Sequence, residues 1–185
     1  MRLTDRLIII LIYTLCSCNG QSDRSFIIDN NGVGNLKFCE KISSSIKPYN
    51  KVEEMRFEGD EGETWTGKKL ILDNDEWIIV ESSWLDSTLI SRISTNSRKF
   101  KTINGYKVGD KISKIIANKD RISFYEDMQG FELISDKFQF GFMIEEEYSQ
   151  KFYDQIRENN PADFLKYIDS NASITEIILT SDCKN

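Results

Sequence analysis

The sequence predicts an α+β fold: two tandem units, each a helix followed by antiparallel strands, forming a sheet with the helices packed on one face. Three observations carry this. Apolar residues recur at helical spacing in residues 36–46 and 108–116. Each of these segments is followed by short apolar runs separated by turn residues. The runs that close the two units, Ile90-Ser91-Arg92-Ile93 and Ile174-Thr175-Glu176-Ile177, also read alike.

Taken in order, Asn31-Gly32-Val33-Gly34 opens the first unit, and Leu36, Cys39, Ile42 and Ile46 place one apolar stripe on a helix that Pro48 stops. Lys69-Leu70-Ile71-Leu72 and Trp77-Ile78-Ile79-Val80 flank Asp73-Asn74-Asp75-Glu76, a hairpin whose turn residues tolerate left-handed backbone. Residues 88–95 make a third strand. In the second unit Asp110 is an N-cap for a helix through Val108, Ile112, Ile115 and Ile116. Strands follow at residues 121–125, 130–134, 137–144 and 173–180. In the third of these, Phe138, Phe140, Phe142 and Ile144 alternate with their neighbours, the period of a half-buried strand.

The helix starts at Val33 and Val108 lie closer along the chain than the closing strands at Ile90 and Ile174. An insertion over residues 148–170 accounts for the difference. Phe152 and Ile156 mark one short helix there, and Asn160-Pro161 opens a second through Phe164, Leu165 and Ile168. The units cover residues 31–97 and 105–181 of one domain spanning residues 28–185, the default at this length. A tandem repeat of this kind resembles the folds of the β-lactamase-inhibitor-protein and BamE-like type. Val33-Gly34, Val108-Gly109-Asp110 and the Trp- and Phe-bearing strands after them carry the resemblance. It implies a binding fold and transfers no activity.

Composition narrows function further. The 185 residues include 24 Lys and Arg against 30 Asp and Glu, a net charge of −6, and no His. Without His there is no Ser/His/Asp or Cys/His triad, no His-ligated zinc or haem and no imidazole switch. The acidic balance opposes binding of nucleic acid.

Residues 1–17 read as a signal peptide: Arg2 and Arg6 precede an apolar run over residues 7–15, too short to span a bilayer. Leu15-Cys16-Ser17-Cys18 resembles the lipobox of bacterial lipoproteins, which makes Cys18 the acylated N-terminus of the mature chain. Several acyl chains on one Cys give lasting membrane attachment. The resemblance further implies, with Asn19 rather than Asp after the Cys, sorting to the outer membrane. Residues 18–27 form the lipidated tether, polar and small between Gly20 and Arg24.

Removal of the signal leaves Cys39 and Cys183 as the remaining thiols. In an oxidising compartment two thiols read as one disulfide, and the alternative is two buried free cysteines. Cys39 falls on the predicted helix and Cys183 at the end of the last strand, so geometry decides between them.

Chemical motifs are sparse. Glu58-Gly59-Asp60-Glu61-Gly62-Glu63 gathers carboxylates but lacks EF-hand spacing, and reads as a solvated loop before a calcium site. Glu145-Glu146-Glu147 offers carboxylates for glycoside hydrolysis, as most acidic surfaces do. No nucleophile elbow, P-loop or dinucleotide fingerprint is present. No catalysis, metal or cofactor is therefore expected.

Trp65, Trp77 and Trp84 carry the binding argument: they either fill the core or, facing outward from the sheet, form an aromatic anchor patch for a partner. The expected protein is lipid-anchored in the bacterial envelope and binds another envelope protein as accessory, assembly factor or inhibitor. The alternatives are a carboxylate-dependent hydrolase of envelope glycans and a small-ligand carrier.

Overall fold

The computed structural model describes residues 24–59, 62–73, 75–83, 85–116, 123–127, 130–135, 138–142 and 172–183. The predicted signal peptide, Cys18, most of the tether, Trp84, Glu145 to Glu147 and the predicted insertion lie outside them.

Twelve strands build the described part. A 3-10 turn, Arg24–Phe26, leads into β1 (Ile27–Asp29), β2 (Gly32–Val33) and β3 (Leu36–Lys37). The helix α1 (Ile42–Ser45) precedes β4 (Val52–Glu58), β5 (Thr64–Ile71), β6 (Trp77–Ser82) and β7 (Ile90–Thr95). After β8 (Lys101–Thr102) and α2 (Ile112–Ile116) come β9 (Ser123–Asp127), β10 (Gly130–Ser135), β11 (Phe138–Phe142) and β12 (Ile174–Thr180). One sheet has the order β3-β2-β1-β8, and the other β4-β5-β6-β7-β12-β11-β10-β9.

The predicted α+β class is therefore wrong: the protein is mostly β-sheet, and the two helices found among the described residues are single turns of four and five residues. Among the described residues no helical layer covers the sheet. The stripe Leu36, Cys39, Ile42 and Ile46 satisfied a helical period, but the backbone rejects a helix across it. Gly32, Gly34 and Cys39 all have positive φ, with Cys39 at 61°, and Leu36 belongs to a strand. A few apolar residues at spacings of three and four cannot separate a helix from a looped chain that dips repeatedly into a core.

In the large sheet each half is an antiparallel four-stranded meander, and the halves join edge to edge where β7 pairs β12. Ile93 sits opposite Leu179 and Thr95 opposite Ile177, around a central Ser94–Ile178 pair. If Ile93 corresponds to Ile177 and Thr95 to Leu179, these pairs interchange, as a local twofold requires. Backbone bonds repeat the relation. The Cys39 N–H donates to Ile90 O at 2.9 Å and the Gly109 N–H to Ile174 O at 2.8 Å. The Ile42 N–H donates to Thr88 O and the Ile112 N–H to Ala172 O, at 2.9 and 3.0 Å. Ile90 thus corresponds to Ile174 and Cys39 to Gly109, rather than Val33 to Val108. Both Cys39 and Gly109 are left-handed, and the position that is glycine in one half is a cysteine in the other.

One face of the large sheet is apolar. A register row runs Val52, Leu70, Ile78, Thr95, Ile177, Phe140, Leu133 and Phe124 across all eight strands. Leu70, Ile78, Ile177, Phe140 and Leu133 are fully buried. They form one core with Ile28, Val33 and Leu36 of the small sheet and with Ile42, Ile112 and Ile115 of the helical turns. Burial at roughly 25 cal/mol per Å² of apolar surface makes this core the main source of stability.

Between β5 and β6 the chain turns as the sequence implies: the Leu72 N–H donates to Glu76 O at 2.9 Å, and Asp75 takes φ 67°. The carboxylate of Asp110 accepts from the Lys107 N–H at 3.1 Å and from Lys114 Nζ at 2.9 Å.

Candidate functional site

The opposite face of the large sheet carries the polar residues of its central strands. Gly67, Glu81, Arg92 and Thr180 share one register row, and Glu176, Gly141 and Glu132 another. Glu81 is 5% exposed although charged. Two neighbours compensate it: the indole Nε1–H of Trp65 donates to Glu81 Oε2 at 2.8 Å, and Arg92 Nε lies 3.3 Å from Glu81 Oε1. The latter contact is a charge pair without hydrogen-bond alignment, and Arg92 Nε is buried with no hydrogen-bond partner among the described residues.

Trp65 stacks on Phe57 of the edge strand, with centroids 5.7 Å apart and planes 13° from parallel. Gly67 makes room for that stack, because a Cβ there would lie 2.8 Å from the Phe57 ring and from Val80 O. Trp65, Glu81 and Arg92 together line an open cleft of about 800 Å³, bordered also by Leu85, Asp86 and Asp182. Its size suits a small ligand or a few side chains of a partner. Leu85, 76% exposed, stands at its rim. An aromatic surface, an ion pair whose carboxylate is buried and an exposed leucine are the ingredients of an anchor region.

Beyond the cleft, the Glu176 carboxyl is pushed above its ordinary range by burial, which outweighs the hydrogen bond from Ser94 and the attraction of Arg92; Glu132 and Glu81 push it further the same way. Because the folded state favours the protonated form, this group leaves stability intact below about pH 4.5. It then costs stability as pH rises through the elevated folded value. Glu176→Gln should thus match the parent in urea denaturation at about pH 4 and exceed it at about pH 8. A difference that does not grow with pH would contradict this account of the buried carboxyl.

The sequence-predicted residues separate as follows. Trp65 is half-buried at the cleft. Trp77 lies on the same face at the far end of β6, half-buried, its backbone N–H bonded to Asn96 Oδ1 at 2.7 Å, and it does not line the cleft. The register places Trp65 and Trp77 about 20 Å apart along the strands, so they do not make one patch. Cys39 and Cys183 form a disulfide, with Cα atoms 5.4 Å apart, and Cys183 borders the cleft. Cys39 lies in the turn before α1 rather than within a helix. Among the described residues no group of three or more acidic, His or Cys side chains is arranged to hold a metal.

Glu81, Arg92 and Glu176 were not predicted as site residues. Their signal was nonetheless present, since each is a charged residue inside an apolar strand run, where a buried charge demands a partner.

No family model matches the chain, and no curated protein matches it. Among solved structures it is similar to the crystal structure of the uncharacterised protein YfeY from Escherichia coli. The match has a TM-score of 0.59 at 15% sequence identity, and covers 83% of this chain and 99% of that one. This likeness concerns the fold alone.

Proposed function

We propose that the protein is a lipid-anchored component of the bacterial envelope, held in the outer membrane through Cys18, that binds another envelope protein through the cleft edged by Trp65. The observation that carries the binding half is the Trp65–Glu81–Arg92 constellation. An aromatic ring is fixed there by a buried carboxylate, beside an exposed leucine and in an open cleft. The lipobox-like Leu15-Cys16-Ser17-Cys18 supports the anchor. Function is then recognition rather than chemistry, as accessory, assembly factor or inhibitor.

Cross-linking of the tagged, lipidated protein in intact cells, followed by mass spectrometry, tests the binding. One envelope protein is expected at near-stoichiometric yield. Its recovery should drop about tenfold or more in Trp65→Ala, as loss of an interface anchor implies, and stay unchanged in Trp77→Ala. Equal recovery with Trp65→Ala would remove the cleft as the docking site. Recovery of no partner would favour a ligand carrier or a glycan hydrolase instead.

A further inference from the structure

Four large hydrophobic side chains are exposed among the described residues: Phe26, Val52, Leu85 and Ile103. Leu85 belongs to the cleft, and the other three lie around the point where the chain enters the body from the direction of Cys18. Phe26, 42% exposed, immediately precedes β1, rests 5.8 Å from Phe100, and lines a shallow depression with Tyr49, Lys51 and Lys99. Val52 follows Lys51 directly. The Ile103 N–H donates to Ile28 O at 2.9 Å beside β1, and Ile103 itself is 57% exposed. Thr102 is buried, so strand alternation turns Lys101 and Ile103 outward together. Lys99 is paired with Asp73 at 2.7 Å, whereas Lys51 and Lys101 have no ion-pair partner among the described residues. On a chain of net charge −6, this end presents apolar tips beside Lys101 and beside Lys51, which also attracts the Asp73 carboxylate in the depression.

We infer that this end of the body docks on the lipid surface, with Phe26 and Ile103 entering the headgroup boundary and Lys51 and Lys101 meeting lipid phosphates. The inference rests on the proposed acylation of Cys18. From Cys18 to Arg24 the chain reaches at most about 20 Å fully extended, so an acylated Cys18 keeps this end beside the bilayer. Lysine stems cover apolar surface while their ammonium groups reach anionic headgroups, the arrangement that interfacial contacts use. Docking also sets the orientation of the cleft. Ile71 of β5 borders the depression at the membrane end and Trp65 of the same strand borders the cleft, about 20 Å away along the strand. The cleft therefore projects away from the lipid, toward a partner.

Spin labels report this directly. The full chain, matured in cells and reconstituted into vesicles of phosphatidylethanolamine and phosphatidylglycerol, would carry a nitroxide through Ile103→Cys or, separately, Leu85→Cys. In the matured, acylated chain Cys16 has left with the signal, the Cys18 sulfur is alkylated by lipid and the disulfide occupies Cys39 and Cys183, so only the introduced thiol reacts. The ratio of collisions with oxygen to collisions with a water-soluble nickel chelate is expected to be several-fold higher at position 103 than at 85. It should fall to the value at 85 when Lys51→Glu and Lys101→Glu are added. Intact mass of the same preparation reports acylation of Cys18. Acylated Cys18 with a water-exposed label at 103 overturns the docking alone, and Cys18 without acyl chains overturns the anchor and the docking together.

Discussion

Reduction of the Cys39–Cys183 bridge is expected to lower folding stability by about 5 kcal/mol, the loop-closure value for a separation of 144 residues. The bond ties the turn before α1 to the segment after β12, so it closes nearly the whole described body into one loop. For a chain of this length such a loss lowers Tm by roughly 10 to 20 °C. The bridge also fixes the segment ending at Cys183, which forms one wall of the cleft. Urea denaturation with and without reductant measures the effect, and Cys183→Ala should match the reduced parent. Coincident transitions for the oxidised and reduced protein would show that the bridge adds no stability.

Phe140→Ala is expected to cost about 3 to 5 kcal/mol, the range for deleting a buried aromatic ring. Phe140 is fully buried on β11, between Ile177 of β12 and Leu133 of β10 in the row that crosses the large sheet. Its ring meets Tyr106 edge-on at 5.8 Å and lies 6.2 Å from Phe138. Tyr106 belongs to the connection between β8 of the small sheet and α2, so this ring joins the large sheet to the chain leaving the small one. The cavity would open at the centre of the core, where the sheet backbone cannot collapse to fill it. A loss below about 1 kcal/mol in the same urea assay would mean that the centre of the core lies elsewhere.

Where a strand is apolar and half-buried, its sequence reveals it. Phe138, Phe140 and Phe142 alternate on β11, and β6, β7, β10 and β12 lie close to their expected positions. The edge strand β4 reads Val-Glu-Glu-Met-Arg-Phe-Glu and is mostly exposed. Its charged residues, which protect an unpaired edge from other strands, also hide its β character. β1, β2, β3 and β8 are two or three residues long, too short for any period to show. The false helix at Leu36 to Ile46 came from the same shortage of residues. A better guide to the repeat was Lys37-Phe38-Cys39-Glu40-Lys41-Ile42-Ser43 against Lys107-Val108-Gly109-Asp110-Lys111-Ile112-Ser113, which aligns the turns that hydrogen bonds show to be equivalent.

Of the candidate site, Trp65 was legible because the chain has only three Trp and each is large. Its partners were not, because only the register brings Glu81 and Arg92 into one row, with Glu81 within reach of the indole. Glu176 shows the same limit. The closing strands Ile90-Ser91-Arg92-Ile93 and Ile174-Thr175-Glu176-Ile177 match in their apolar positions, while the fold sets Arg92 and Glu176 at equivalent places with opposite charge.

The proposed attachment through Cys18 underlies both the proposed envelope role and the proposed orientation of the cleft. Mass spectrometry of the mature protein extracted from membranes tests it most directly. The account predicts a chain beginning at Cys18, with acyl chains on that residue and residues 1–17 absent. A chain that retains residues 1–17, or begins elsewhere with Cys18 unmodified, would contradict it.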